Sequence, residues 1–407
     1  MDAPPHSPTE SRAQPWLLSG SFFFLFLGVG AFQQFLVPTV AARAHCSDLA
    51  ASLVFACVYF GGPLFLTVYG YVFQVLHERW SIVLGGMTYT LFALVLLLVP
   101  RYEVLLAAAL VFGFGAETLW ATGPTQVINA AHHTRYGSIS GFFQSATYSG
   151  QMFGVVLLGV ILGRHSDPQQ GQTVMLVTAI CLGAVGNVLA LFLRIKPKTR
   201  PPAKLSDAVQ CLRSHAGRYL VLLSIANYLG WGLLLSSFTS LVRDIGQDAK
   251  LHWIVLPYYA GRLLVAWIAG HTSDRVGREH VMLCGFGVAT ASLVVAALSP
   301  TAGVIAAVSA AMGMQAAMVS VSSTAAVGDY VREEERHLIF AGTNAWGYLA
   351  TGLTMVGSQL LRHTYGAFTP SLLLFAGFYA ACAILVVRMR AVLQRERAGE
   401  TRRAQRW

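Results

Sequence analysis

Apolar and polar positions along this chain do not alternate, and they do not follow a one-sided helical stripe. They come in blocks. Long apolar runs are separated by short polar breaks, and a run of about 20 apolar residues is what a membrane-crossing helix needs. Twelve such runs are read at 17–41, 49–71, 81–99, 103–130, 137–163, 171–194, 216–243, 250–270, 279–298, 302–327, 336–361 and 368–388. The longest exceed the need and leave room for tilt or interfacial turns. Gly123-Pro124 predicts a kink in the fourth. Helices satisfy their own backbone in hydrocarbon, so the pattern predicts an all-α integral membrane protein.

The loops divide these runs unevenly. Most are very short. One is long, from Lys196 to Arg218, with Pro197, Pro201, Pro202 and a concentration of Lys and Arg. It splits the chain into six helices plus six. The expected organisation is a disordered tail at 1–15, a six-helix bundle at 16–195, a basic linker at 196–215, a second six-helix bundle at 216–388 and a basic tail at 389–407. Within the linker, 205–214 is expected as a short interfacial helix.

Charge changes this picture by orienting it. With both termini on one side, 21 of the 28 Lys and Arg residues share that side and 6 lie on the other. The positive-inside rule makes the rich side cytoplasmic. The expectation is a multi-pass protein with both termini in the cytoplasm and the lipid bilayer as its solvent. The composition agrees: 55% hydrophobic and 11% charged over 407 residues, with a mean hydropathy of +0.57. A soluble domain carries about a quarter charged residues. The net charge of +10 sits in loops and tails rather than in a basic groove, so nucleic acid is not an expected partner. The first run, from Trp16, is too long for a signal-peptide core.

The six cysteines form no C-x-x-C pair, so neither a disulfide framework nor a metal site is read from them. His132 and His133 have no nearby carboxylate or Cys in sequence and read as interfacial residues. No catalytic constellation, P-loop or dinucleotide fingerprint appears, and no cofactor is expected. Gly137-Ser138-Ile139-Ser140-Gly141 imitates G-x-S-x-G but has Ile139 where a nucleophile belongs. The glycines Gly150, Gly154 and Gly159 read as helix-packing positions.

Two charges stand far from any helix end: Glu117 in helix 4 and Arg262 in helix 8. Arg262 is eight residues before Gly270, roughly 12 Å along a helix at about 1.5 Å per residue, which places it near the middle of the bilayer. A charge at that depth is costly and marks a candidate functional site. Two readings of each stand. Arg262 binds an anionic substrate group, or it belongs to a structural ion pair. Glu117 carries a proton, or it pairs with Arg262.

The chain also repeats itself weakly at an offset near 200. Gly70 and Gly270 begin corresponding loops, Gly113 and Gly115 are mirrored by Gly313, and Glu117 is matched by Gln315. The second of those loops, Gly270-His271-Thr272-Ser273-Asp274-Arg275-Val276-Gly277-Arg278, gathers an acid, two arginines and two glycines. Its G-x-x-x-D-R-x-G-R spacing resembles the short cytoplasmic loop of the major facilitator superfamily of transporters. The first-half counterpart, Gly70 to Arg79, keeps the glycine but lacks the Asp and the Gly-Arg pair. Further segments resemble one branch of that superfamily, the UNC-ninety-three-like proteins. These are Gly113-Phe114-Gly115-Ala116-Glu117-Thr118-Leu119-Trp120, Tyr136-Gly137 through Gly141-Phe142-Phe143-Gln144-Ser145, Phe238-Thr239, and Phe340-Ala341 followed by Asn344 and Trp346.

The resemblance implies two parallel six-helix bundles about a central cavity, in which a small molecule or ion is moved by alternating access. It implies that helices 4 and 8 line that cavity, with polar walls from Gln34, Gln144, Tyr148, Asn227, Tyr228, Gln315, Asn344 and Trp346 beside Arg262 and Glu117. It also implies a gate built from Gly270, Asp274, Arg275, Gly277 and Arg278. From the charge order and the helix dipole, Asp274 is expected to cap the start of helix 11 near Arg336, and Arg278 to pair with one of Glu333 to Glu335. Branch members are described mainly as ion-channel regulators or trafficking partners. A second membrane protein as partner is therefore the other reading.

Overall fold

A computed structural model describes residues 8–129, 135–195, 212–247 and 251–404. Among the described residues, twelve long helical segments follow one another along the chain. They are α1 (Pro8–Arg43), α2 (Asp48–Val75), α3 (Glu78–Leu98), α4 (Tyr102–Asn129), α5 (Tyr136–Arg164) and α6 (Pro168–Leu191) in the first half. In the second half they are α7 (His215–Val242), α8 (Leu251–Val276), α9 (Arg278–Leu298), α10 (Ala302–Tyr330), α11 (Arg336–Tyr365) and α12 (Thr369–Ala404). Ten of these are long and apolar enough to cross a membrane by composition alone. The other two are α2 and α11. The latter carries Thr343, Asn344, Thr351, Thr354, Ser358 and Gln359 along its length.

Several boundaries differ from the expectation. The first helix begins at Pro8, inside the segment read as disordered; proline suits the first turn of a helix, where no N–H is needed. The last helix continues past 388 to Ala404, because nothing between breaks it and its basic residues are good helix formers. Helix α4 runs through Pro124 without interruption. His132, His133 and most of the expected interfacial helix lie outside the described residues.

The caps explain the short turns. The Ser47 hydroxyl accepts from the Ala50 amide, Asp167 from Gln169, Ser214 from Gly217 and Thr301 from Val304. Each satisfies an amide that a helix start leaves without a partner. Between α8 and α9 the turn is a single residue. Gly277 has φ of +97°, a conformation that side-chain-bearing residues rarely adopt.

The repeat is visible in the packing. Gly61 and Gly113 hold α2 against α4: a Cβ on Gly61 would strike the Leu110 carbonyl, and one on Gly113 the Val58 carbonyl. Two hundred residues on, Gly261 meets the Ala310 carbonyl and Gly313 meets the Tyr258 carbonyl, joining α8 to α10. Small residues let helix backbones meet directly, which substitutes for the missing hydrophobic drive between helices in lipid. Helices α1 and α7 share another irregularity. Each widens to a π-turn in mid-course, at Phe26–Gly30 and Leu233–Phe238. Such turns re-aim side chains and frequently mark functional regions.

Backbone contact of this kind leaves no room for a side chain. Gly313→Ala should lower thermal stability by about 2 kcal/mol through overpacking, read as a lower unfolding temperature in detergent. Gly377, which has open space around its α-carbon, is the control; Gly377→Ala should be neutral. Equal behaviour of the two variants would refute the close-contact account.

Candidate functional site: a central cavity between the two halves

The turns after α2, α4, α8 and α10 lie on the face that carries most of the basic residues, called the basic face below. Between the two halves lies a cavity of about 130 Å³, whose walls extend from mid-bundle to Pro124 and Val327 near the basic-face ends of α4 and α10. Helix periodicity selects its walls. In α5 the lining residues are Gln144, Thr147, Tyr148 and Gln151, and in α7 they are Ser224, Asn227, Tyr228 and Trp231. Both sets follow the three-and-four spacing of one helix face. Helix α8 contributes Tyr258 and Arg262. Helix α10 contributes Ser320, Ser323 and Thr324, and α11 contributes Thr343, Asn344 and Tyr348. The first half adds Gln33, Tyr59, Tyr89 and Trp120.

Arg262 is the only Lys or Arg in this lining. Its guanidinium lies 3.8 Å from the Tyr148 ring centre and 5.5 Å from those of Trp231 and Tyr258. Its Nη1 donates to Gln151 Oε1 at 3.5 Å, a long contact. Ring faces attract a cation, but they leave its positive charge uncompensated. No ion pair joins Arg262 to Glu117 or to any other described carboxylate.

Other expected cavity residues point elsewhere. Trp346 is 42% exposed and lines a separate groove. It follows Asn344 by two positions, about 200° around the helix, so the two cannot share a face. Gln34 sits beside the cavity rather than on its wall and accepts a hydrogen bond from Tyr259 Oη at 2.8 Å. Gln315 and Glu117 are both fully buried and absent from the lining. For Glu117 the reason is again angular, since its neighbour Ala116 takes the lining position. No described group hydrogen-bonds either Glu117 carboxylate oxygen or the Gln315 amide. Gln144, Tyr148, Asn227, Tyr228, Asn344 and Arg262 do lie on the wall.

On the basic face, α5 and α8 meet backbone to backbone. A Cβ on Gly270 would strike the Gly137 carbonyl, and one on Gly141 the Ala266 carbonyl. Gly270 thus lies within α8, about two turns of helix before the turn it was expected to open. The close approach brings Asp274 onto the first turn of α5. Its carboxylate accepts from the Gly137 amide at 3.0 Å, the Ser138 amide at 2.8 Å and the Ser138 hydroxyl at 2.7 Å. The expected cap of α11 is therefore incorrect: Asp274 caps α5. Arg278 pairs with Asp274 and, at 3.0 Å, with Asp329 at the end of α10, not with Glu333 to Glu335. Arg275 is exposed.

A second junction on this face was missed by the sequence reading. Arg336 is buried at the start of α11 and crosses to the first half. It donates to Asn129 Oδ1 at 3.0 Å and Tyr136 Oη at 2.9 Å, and to the Gly328 carbonyl at 3.1 Å. The signal for it was available: an arginine 200 positions after Tyr136, next to three glutamates that it does not use. On the opposite side of the cavity the halves are joined by two neutral hydrogen bonds, Trp231 Nε1 to Tyr59 Oη at 2.5 Å and Tyr259 to Gln34.

This architecture matches known proteins. The sequence profile of the Major Facilitator Superfamily matches residues 18–217 and 220–406. Solved structures with the same fold include the Escherichia coli fucose:proton symporter FucP, at 15% identity and a TM-score of 0.69 over 93% of this chain and 99% of that one. The human organic anion transporter MFSD10 (TETRAN) superposes with a TM-score of 0.74 at 14% identity, over 94% of this chain and all of that one. In sequence, a 69-residue stretch is 36% identical to the multidrug transporter MdfA of Edwardsiella ictaluri (strain 93-146), and it spans only 16% of either protein. A profile match across nearly the whole chain, on two six-helix halves around a shared cavity, makes this protein a member of the major facilitator superfamily.

Proposed function

We propose that this protein is a secondary transporter that moves a small anionic solute by alternating access. One observation carries the reading: Arg262 presents an uncompensated guanidinium to the central cavity, held on three aromatic rings. A charge in such a place costs several kcal/mol unless a partner satisfies it, and a bound carboxylate or phosphate supplies that partner. The planar two-pronged geometry of arginine suits both. Wall amides and hydroxyls from Gln144, Asn227, Ser320 and Asn344 would orient the remainder of the solute. The name of one structural neighbour, an organic anion transporter, agrees with this class.

Alternating access follows from the two closures. The basic face is held by charge-assisted hydrogen bonds at Asp274 and Arg336, the opposite side by aromatic hydroxyls. Breaking either set opens the cavity to one side. Glu117 is the buried carboxyl that can carry a proton alongside the solute. It lies within electrostatic range of the wall tyrosines Tyr89, Tyr228 and Tyr348.

A second reading has its own support. The wall is heavily aromatic, with Phe26, Tyr59, Tyr89, Trp120, Trp231 and Tyr258 on it. A member that regulates or escorts another membrane protein needs no polar solute path.

Three outcomes distinguish these readings. In proteoliposomes screened with small carboxylates and organophosphates, the wild type should accumulate or exchange at least one. Arg262→Ala should abolish this, and Arg262→Lys should lower it at least tenfold, with both variants folded and inserted. Loss of folding with binding intact in the survivors would instead make Arg262 structural, and no uptake of any anion by the wild type would favour the second reading.

Asp274→Asn should open the basic face. Removing charge-assisted bonds worth about 1.5–3 kcal/mol each shifts the population at least tenfold. A cysteine at Ser323, in a background without other cysteines, should then react faster with an impermeant reagent applied from the basic side. Unchanged labelling on both sides would sink the gate assignment.

Glu117→Gln should preserve solute exchange while abolishing uptake driven by a pH gradient. Retained pH-driven uptake in that variant would remove Glu117 from the proton path.

A further inference from the structure

Outside the central cavity, a groove of about 450 Å³ opens on the side of the molecule. Its lining comes from both halves: Pro63 on α2, and Arg213, Arg218, Val221, Trp346 and Leu349 on the second half. These residues are ordered by depth. Arg213 precedes the first turn of α7 and Arg218 lies within it, roughly 6 Å from the helix start at about 1.5 Å per residue. Leu349 is thirteen residues into α11 and Pro63 twelve residues from the end of α2. Both are therefore roughly 18–20 Å from the basic face by the same rise, past the middle of a hydrocarbon core about 30 Å thick.

The groove is thus charged at headgroup level and apolar below it. Both arginines are exposed, and neither forms an ion pair with a described carboxylate. Trp346 borders the apolar part, ten residues into α11, about 15 Å from the basic face by the same rise, where its ring offers apolar surface to an acyl chain. No water-soluble ligand matches this arrangement, because its deeper part has no polar partner to offer. A phospholipid matches it along its whole length.

We propose that this groove is a binding site for one anionic phospholipid, with its phosphate held by Arg213 and Arg218 and an acyl chain laid between α2 and α11 against Pro63, Trp346 and Leu349. The charge selects the headgroup. Two guanidinium groups favour a net negative lipid over a zwitterionic one, since the latter brings its own cation to the same site. The same arginines also lie where the surface potential of an anionic leaflet is felt. The site does not depend on what the central cavity carries.

The test is lipid retention by the purified full-length protein, read by native mass spectrometry after titration with phosphatidylglycerol or phosphatidylcholine of equal chain length. The wild type should hold one phosphatidylglycerol more tightly than phosphatidylcholine. Each headgroup-level charge contributes about fivefold in affinity, so the double variant Arg213→Gln, Arg218→Gln should bind that lipid about thirtyfold more weakly. Its unfolding temperature in detergent should be unchanged, because both side chains are exposed. Arg388→Gln with Arg390→Gln, at the same face on α12, should not weaken binding. Trp346→Ala should weaken it with both arginines present. Equal retention of the two lipids by the wild type, or equal retention by wild type and the double variant, would overturn the proposal. So would displacement of the lipid by millimolar inorganic phosphate, which would make this an anion site without a lipid chain.

Discussion

Hydrocarbon offers no hydrogen bonds, and most of this molecule follows from that. Each backbone amide in the membrane is satisfied within its own helix, and each side-chain polar group must face protein. A charge as deep as Arg262 cannot be left at a lipid surface. It draws α5, α7 and α8 around itself, through Tyr148, Trp231 and Tyr258. Aromatic rings are a particular solution to this problem. A carboxylate would neutralise the arginine and occupy it. Rings stabilise it by their quadrupole and leave its N–H groups free to bind something else.

The two ends of the cavity are closed by different chemistry. On the basic face, Asp274 and Arg336 each reach from the second half into the first, and both use groups at helix ends, where amides or side chains converge. At the corresponding turn of the first half, Gln74 stands where the second half has Asp274. There Val72 of α2 packs near Leu338 and Ala341 of α11. On the opposite side the junctions are neutral. Salt and surface charge therefore act on one closure far more than on the other.

The architecture was legible because it is written in block lengths. Runs of about 20 apolar residues, one long basic linker and a charge bias define twelve helices in two halves without reference to any single side chain. Arg262, Gln144, Tyr148, Asn227, Tyr228 and Asn344 were also legible as polar residues in apolar surroundings. What the one-dimensional reading lost was angle. Trp346 beside Asn344, Gln34 beside Gln33 and Glu117 beside Ala116 are neighbours in sequence and face different directions in space. Partners across the two halves were harder still. Asp274 meets Gly137 and Ser138 because two glycine-bearing helices touch there, and charge order alone pointed to the wrong helix start. The reach of Arg336 into the first half escaped notice because three glutamates precede it and its actual partners there, Asn129 and Tyr136, are neutral.

The meeting of α5 and α8 has a kinetic consequence. Gly137, Gly141 and Gly270 place bare backbone on both sides of that contact. Interlocked leucines or phenylalanines would have to change rotamer and climb past one another before two such surfaces could part. Smooth backbone surfaces have no such teeth. Their separation requires only that the few hydrogen bonds at the end of the contact let go, so the height of the opening barrier is set by those bonds, and its rate responds to single polar substitutions more than to changes in bulk. Glycine at this contact works as a bearing surface as well as a spacer.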